Sequence, residues 1–424
     1  MRVLVISRNA WDNTNSIGNT LSNFLQNMTD VQFANIYFRG AKPNNNICKH
    51  YYQVTESDVI KKWFHPHKIG KEFFWDEGCP KSDAKFSGKK EKKIIHFIHK
   101  HNLKLAYKIS DSIWYSKKWL NAKFDNFIES FSPDLVISFA KSAPQYYLTV
   151  KHLKEKLGIP VFSWIADDEY TSLVKNKSRR EIRNLRYIIK ESKILRGCSE
   201  EICEYYNSVF GCNASPLYKG CDFSKKTKDF NRDTIQVVYA GNLLYGRLDV
   251  ICKFAEALEK YNENTRDIKF EIYSSTLMPL EIKTYFDSLK STKYMGQHDY
   301  EVIKQRLFEA DIVLHAESFD ENEIIKTKYS FSTKIIDCLQ SGSVLLAIGP
   351  SDIASIKYVK KIPGAFVIDN VDSLEKKIKF LLDECETFSN RASSIRVFAQ
   401  KHHDSKMNSV DLRETFSKII KGEH

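Results

Sequence analysis

The stretch Asp311–Pro350, DIVLHAESFDENEIIKTKYSFSTKIIDCLQSGSVLLAIGP, decides how the rest of the chain is read. Asp311–His315 reads as an apolar strand running into a long polar loop. The loop closes on Tyr329-Ser330-Phe331-Ser332-Thr333-Lys334, and a short amphipathic helix with Asp337 in its first turns follows. Ser341-Gly342 stops that helix, and Ser343–Ile348 is a second buried strand. The first backbone N–H groups of a helix lack intrahelical partners, so a strand, a Ser-rich turn and a helix start suit an anion. Ser332 is the expected N-cap. Asp337, one turn further in, is placed to accept hydrogen bonds from a sugar diol. Taken alone, Ser330, Ser332, Thr333 and Asp337 are explained by capping and by the helix dipole. Diphosphate plus ribose, however, is half of a nucleotide sugar.

Outward from this stretch, strand-like and helix-like segments alternate, which argues for a parallel α/β architecture. Val3–Ser7, Val31–Phe38, Leu135–Phe139, Val161–Ile165 and Ile194–Cys198 read as strands, with Thr20–Asn27 and Tyr146–Leu157 as helices. The insertion from Lys42 to Lys123 shows no clear strand. Ser224–Asp233 (SKKTKDFNRD) turns polar and charged, as a linker does. The pattern then restarts with strands at Gln236–Ala240, Phe270–Tyr273, Ile312–His315, Val344–Ile348 and Ala365–Ile368, and helices at Asp249–Tyr261 and Tyr300–Glu309. Two doubly wound Rossmann-like domains facing a cleft are expected, over 1–223 and 234–390, followed by a helical tail over 391–424. Ligands of such sheets bind beyond the carboxyl ends of the strands.

The chain has 424 residues, 42% hydrophobic and 28% charged, too many for one core. No apolar run reaches the ~18 residues of a membrane span. Met1–Ser7 begins directly as a strand rather than as a signal peptide. Nine Cys without a CxxC pair fit a reduced cytoplasm. Net charge is +12, which suits an anionic partner. The excess is partly local. Lys81, Lys85, Lys89, Lys90, Lys92, Lys93, Lys100, Lys104, Lys108, Lys117 and Lys118 are interleaved with Phe97, Tyr107, Trp114, Tyr115 and Trp119. That pattern fits a solvated basic helix pair or a face on an anionic membrane. No recognition motif for nucleic acid accompanies it.

Gly241-Asn242-Leu243-Leu244-Tyr245-Gly246-Arg247 follows the buried strand Val237–Ala240. Gly241 permits close backbone approach and Arg247 offers a forked donor for phosphate. With Arg247, Lys334 and two α/β halves, the binding reading prevails over simple capping. Trp164–Ile165 closes an apolar strand, and Asp167-Asp168-Glu169 follows where an open sheet meets its ligand. Crowded carboxylates raise at least one pKa, which would make a general base for an acceptor hydroxyl; a solvated acidic loop or helix cap is the plainer reading. His65/His67, His96/His99/His101 and His402-His403 read as surface or structural positions rather than metal ligands. There is no nucleophile elbow, P-loop lysine or zincin motif.

The second half resembles the donor domain of retaining glycosyltransferases of the GT-B fold, family 4 in particular. Gly241-Asn242-Leu243 with Arg247 resembles the family's G-R-L-x-x-x-K loop, Asn242 standing at the Arg position and Arg247 at the Lys position. Ser332-Thr333-Lys334-Ile335-Ile336-Asp337 with Gly342 resembles its S-P-x-K-x-x-E-Y-x-x-x-G variant. Asp337 takes the place of the ribose-binding Glu, and Tyr329 that of the absent first Glu. Gln297-His298 after Gly296 resembles the loop that contacts the base. Ser199-Glu200-Glu201-Ile202 and Gly220-Cys221-Asp222-Phe223, with Lys219 replacing Asn, resemble elements of the first half. The loop at Asn15, Gly18 and Asn19 corresponds to the family's acceptor side.

The resemblance implies a metal-independent transfer from a UDP- or GDP-linked sugar to a glycan or lipid-diphosphate-linked acceptor. Donor contacts would come from Gly241, Asn242, Arg247, His298, Ser330, Ser332, Thr333, Lys334 and Asp337. Arg247 and Lys334 would stabilise the departing diphosphate. Asp167 or Asp168 would stand in for the family's histidine. The expected setting is capsule or O-antigen synthesis, in the cytoplasm or peripheral on the inner face of the plasma membrane, with Lys81–Lys118 toward the lipid. A sugar-nucleotide epimerase or a non-catalytic scaffold of the same fold are the alternatives.

Overall fold

Runs such as Leu135–Phe139, Val161–Ile165, Ile312–Ala316 and Val344–Ile348 are buried at every residue. Strands covered on both faces read as unbroken apolar runs rather than alternating ones. They form the centres of two sheets in the computed structural model, which describes residues 1–76, 79–80, 104–223, 228, 230, 233–262 and 267–423. The chain divides into two compact units, Met1–Leu217 with Lys406–His424, and Tyr218–Ser405.

The first unit holds β1 (Arg2–Ser7), β2 (Gln32–Tyr37), β3 (His50–Gln53), β4 (Lys71–Asp76), β5 (Cys79–Pro80), β6 (Leu135–Phe139), β7 (Val161–Ile165), β8 (Ser192–Gly197) and β9 (Ala214–Pro216). Their order is β5-β4-β3-β2-β1-β6-β7-β8-β9. β1 pairs in parallel with both β2 and β6, so the strand order reverses between β1 and β6. The second unit holds β10 (Ile235–Ala240), β11 (Ile268–Tyr273), β12 (Thr292–Gly296), β13 (Ile312–Ala316), β14 (Val344–Ile348) and β15 (Phe366–Ile368). All six are parallel in the order β12-β11-β10-β13-β14-β15. Renumbered from β10, this is 3-2-1-4-5-6, the doubly wound dinucleotide-type order, with its switch point between β10 and β13.

Several expectations need correction. The segment after Lys42 does contain strands: β3 joins β2 in parallel, and β4 returns antiparallel to it, with Tyr51 opposite Phe73. Trp114 and Trp119 belong to the core beneath this edge, 1% and 0% exposed, and do not form an aromatic outer face. Lys118 lies over the Trp63 ring, 4.0 Å from its centroid, and donates to the Trp63 carbonyl. The rest of the basic run through Lys100, with its His96 and His99, lies outside the described residues, as do His101 and most of the polar linker. The loop expected after β13 contains a helix, Glu321–Thr327, capped by Asp320. β12 was not foreseen, because TKYMG is short and mixed.

The tail forms two helices, Phe388–His403 and Ser405–Lys421. The first stays with the second unit. There buried His403 donates from Nδ1 to the Lys219 carbonyl at 3.1 Å, and Tyr358 meets its Nε2. Burial pushes the His403 pKa down to about 4, so the ring stays neutral and structural. The second helix packs on the first unit through Phe416 against Phe162 and Arg413 against Asp30.

Candidate functional site

β10 ends at Ala240, and the chain turns through Gly241–Gly246 into the helix Arg247–Asn262. Tyr245 and Gly246 both adopt left-handed backbone, with φ of 57° and 67°. Strain of this kind at a bulky residue persists only where the surroundings enforce it. A Cβ at Gly246 would sit 2.3 Å from Ser318 Oγ, and one at Gly241 only 2.7 Å from the Tyr239 hydroxyl and 3.2 Å from Lys334 Nζ. The turn therefore closes tightly over the switch point, and it delivers Arg247 there.

The Arg247 fork is already engaged. Nε donates to the Ala316 carbonyl at 3.1 Å, Nη1 to Asn242 Oδ1 at 2.8 Å, and Nη2 to both Glu317 carboxylate oxygens at 3.0 and 2.9 Å. Glu317 is 1% exposed and directly follows β13. Its burial alone would raise the pKa. The adjacent His315 and Arg247 outweigh that, so its pKa falls below the usual carboxylate value and it is ionised. His315 Nε2 lies 3.2 Å from Glu317 Oε1, close enough for an ion pair but not aligned as a hydrogen bond.

Lys334 comes from the other side of the switch point, opening the helix Lys334–Gln340. Its Nζ has no hydrogen-bond or ion-pair partner among the described residues. Burial, and then the positive charge of Arg247, push its pKa down to about 8, against a smaller opposing pull from Asp337. The residue before it, Thr333, is the N-cap and makes no side-chain cap bond, so the expected Ser332 cap is not formed. Ser332 N–H instead takes a bond from the protein interior, donating to Ser355 Oγ at 3.0 Å, while Ser355 donates to the Ser330 carbonyl at 3.3 Å. This crosslink fixes the Ser-rich turn against the helix Ala354–Lys360.

Asp337 Oδ1 accepts from Lys219 Nζ at 2.9 Å and from the Tyr300 hydroxyl at 3.3 Å, while Oδ2 has no partner among the described residues. Lys219 is 5% exposed. Burial and the Asp337 charge raise the Tyr300 pKa, so the phenol stays a donor. Asp337 and Tyr300 also line a cavity of about 340 Å³ with Asp222, Lys304, Phe308 and Gln340. Tyr300 opens the helix after β12, which places Asp337 beside the His298 loop. His298 is exposed, with Nε2 3.1 Å from the Met295 carbonyl and its ring edge-on to Tyr273. β12 lies two strands from β10, roughly 10 Å, a span suited to a nucleoside between base loop and phosphate turn.

In the first unit, the acids after β7 gather around Lys141, which follows β6. Lys141 Nζ lies 3.0 Å from Glu169 and 3.5 Å from Asp167. Burial would lower the Lys141 pKa, but these two carboxylates outweigh it and raise it. Asp167 is well exposed, whereas Asp168 Oδ1 accepts from Thr171 N–H at 3.3 Å and the Tyr206 hydroxyl at 3.5 Å. Asn15 caps the helix Ser16–Leu25 by accepting from Gly18 N–H at 2.8 Å, with Asn19 N–H bonded to the Asn15 carbonyl.

The structure thus brings Gly241, Asn242, Arg247, Lys334 and, one turn along, Asp337 to the carboxyl edge of one sheet. It places Asn15, Gly18, Asn19, Asp167 and Asp168 at the corresponding edge of the other. Sequence reasoning missed Glu317 and Tyr300, and it noted Lys219 only beside Gly220–Phe223, not as the partner of Asp337. A lone Glu closing the apolar run Ile312–Ala316 was the available signal for Glu317. Nothing local marked the pairing of Lys219, whose partner is 118 residues away.

No protein-family model matches the chain, and no curated protein matches it in sequence. Solved structures do match along its whole length. Anabaena Alr3699/HepE in complex with UDP superposes with a TM-score of 0.64 at 11% identity, covering 99% of this chain and 100% of that one. Sucrose-phosphate synthase from Thermosynechococcus elongatus gives 0.62 at 10% identity, covering 100% of both. WaaG, a glycosyltransferase involved in lipopolysaccharide biosynthesis, gives 0.59 at 12%, covering 99% and 100%. The chain has the GT-B fold these proteins share.

Proposed function

We propose that this chain is a glycosyltransferase that takes a sugar from a nucleoside diphosphate donor, UDP- or GDP-linked, and passes it with retention to a glycan or lipid-linked acceptor. One observation carries the reading. Two cations, Arg247 and Lys334, converge on the Gly241–Asn242 turn at the switch point of a doubly wound sheet. That is where such sheets hold phosphates. Several of the similar structures are named for glycosyltransferases or were solved with UDP or UDP-sugars, which supports the same reading.

In this reading the diphosphate lies over the turn, and the charge that builds on it as the glycosidic bond breaks is met by preorganised donors. Those donors would offset that charge without calling on a metal. Oδ2 of Asp337 takes a ribose hydroxyl, with Oδ1 held by Lys219 and Tyr300. The base lies by His298. The acids around Lys141 face the acceptor, with Asp167 or Asp168 taking its proton. Family 4, capsule or O-antigen synthesis and a place at the inner membrane face belong to the same proposal. Among the described residues no helix is long and apolar enough to cross a membrane.

Calorimetric binding of UDP, GDP and CMP to the wild type and to Asp337→Ala tests it. The expected result is selective binding of UDP or GDP, weakened about tenfold in the variant, the value of a charge-assisted hydrogen bond. Because Asp337→Ala also leaves buried Lys219 unpaired, the melting temperature falls as well. A well-folded wild type that binds none of the three nucleotides would defeat the proposal.

A further inference from the structure

Among the described residues, Arg247, Lys219 and Lys334 stand at the carboxyl edge of the second sheet, and they are not equivalent. Arg247 is matched by Glu317, whose carboxylate is 2% exposed and holds the guanidinium through both oxygens. Lys219, 5% exposed, is matched by Asp337. Each pair is close to neutral seen from a ligand a few ångströms away, provided the imidazole of His315, 3.2 Å from Glu317 Oε1, is uncharged. Lys334 is matched by nothing: its Nζ has no ion-pair or hydrogen-bond partner among the described residues, and it stands 3.2 Å from the position of a Cβ on Gly241. Leaving an amine half-buried without a partner costs stability, and a cost kept at the edge where ligands bind points to a ligand that repays it.

We propose that the net positive charge offered to a diphosphate at this edge comes from Lys334, while Arg247 and Glu317 form a charge-neutral frame that holds the Gly241–Gly246 turn in place. The inference rests on the diphosphate reading of this edge and assigns its charge to one residue. Asn242 fits the same division. Where a second cation would repel Arg247, the amide oxygen accepts from it at 2.8 Å and completes the frame.

The frame makes an unusual demand on mutants. Arg247→Met by itself removes the cation and strands the Glu317 carboxylate facing the ligand. Arg247→Met with Glu317→Gln removes both charges and leaves the local sum unchanged. Replacing a buried pair by uncharged groups of similar size is often neutral or stabilising, so the double variant is expected to fold. Lys334→Met removes a side chain with no hydrogen bond or ion pair among the described residues, and it relieves both burial and repulsion by Arg247, which outweigh the pull of Asp337.

The test is calorimetry with inorganic pyrophosphate and, in parallel, UDP, on the full chain and these three variants, with melting temperatures. Lys334→Met should weaken pyrophosphate roughly 10- to 100-fold, as loss of a charge-assisted bond does, with melting unchanged or higher. Arg247→Met should lose affinity to a similar extent, and the double variant should recover to within about fivefold of wild type. A double variant as weak as Arg247→Met would overturn the assignment, as would Lys334→Met within about threefold of wild type. Wild type that fails to bind pyrophosphate overturns it too. Pyrophosphate binding that follows this pattern without UDP binding would uphold the Lys334 assignment and sink the nucleotide-sugar reading. If Arg247→Met does not fold, Lys334→Met and the double variant decide the matter between them.

Discussion

The two sheets reverse their strand order in the same way, β1 against β6 in one and β10 against β13 in the other, yet their carboxyl edges arrange charge differently. At the first edge Lys141 lies between Asp167 and Glu169, and Arg8, just past β1, adds a second cation beside Tyr146. At the second edge two ion pairs cancel and Lys334 is left over, so cation is in excess. One topology thus presents an edge where acids gather on a lysine and an edge where a lysine is left over. The backbone determines where a ligand sits, and the few side chains beyond the strand ends determine which ligand that is.

The difference also concerns burial, and there the largest effect is expected. Glu317 is 2% exposed at its side chain, whereas Asp167 is 63% exposed. Glu317→Ala leaves Arg247 uncompensated in the interior and should cost about 3–5 kcal/mol in urea denaturation. The counterpart change Asp167→Ala breaks an exposed pair and should cost about 1 kcal/mol or less. Equal losses would mean that the second edge is no more tightly built than the first.

Turnover sharpens the contrast from the other side. Asp167→Asn should lower kcat roughly 100-fold with little change in melting, as expected of a general base. Asp168→Asn should act mainly on stability, because Asp168 already accepts from Thr171 and Tyr206. Wild-type turnover in both variants would return these acids to a solvated loop.

The smallest effect is one of pH. The Lys334 pKa is pushed down to about 8 in the folded chain from an ordinary 10.5. Between those values the unfolded chain binds the extra proton and the folded one does not, so stability gains from this group as pH rises through that window. Pyrophosphate affinity should move in the opposite sense and fall as the amine loses its proton. Titration of wild type against Lys334→Met, by melting and by calorimetry, should show both trends in the former alone.

Much of the fold was legible because buried parallel strands write themselves as apolar runs. Leu135–Phe139, Val161–Ile165 and Val344–Ile348 begin and end where their composition says. β3 and β4 were not legible. HYYQ and KEFFWD mix charge with aromatics at a sheet margin, and their strand character comes from pairing with each other and with β2. At the site, Gly241, Arg247, Lys334 and Asp337 were visible as chemistry at element ends. The pairing of Arg247 with Glu317 spans 70 residues and left no local mark.

By itself, the sequence determined two α/β halves, their switch-point loops and the supply of cations beside Gly241, since hydrophobic period and turn chemistry are local properties. Only the tertiary structure decided which of those cations is free. Charge compensation depends on distances between residues far apart in the chain. Folding sets Glu317 against Arg247 and Lys219 against Asp337, and it sets nothing against Lys334 among the described residues.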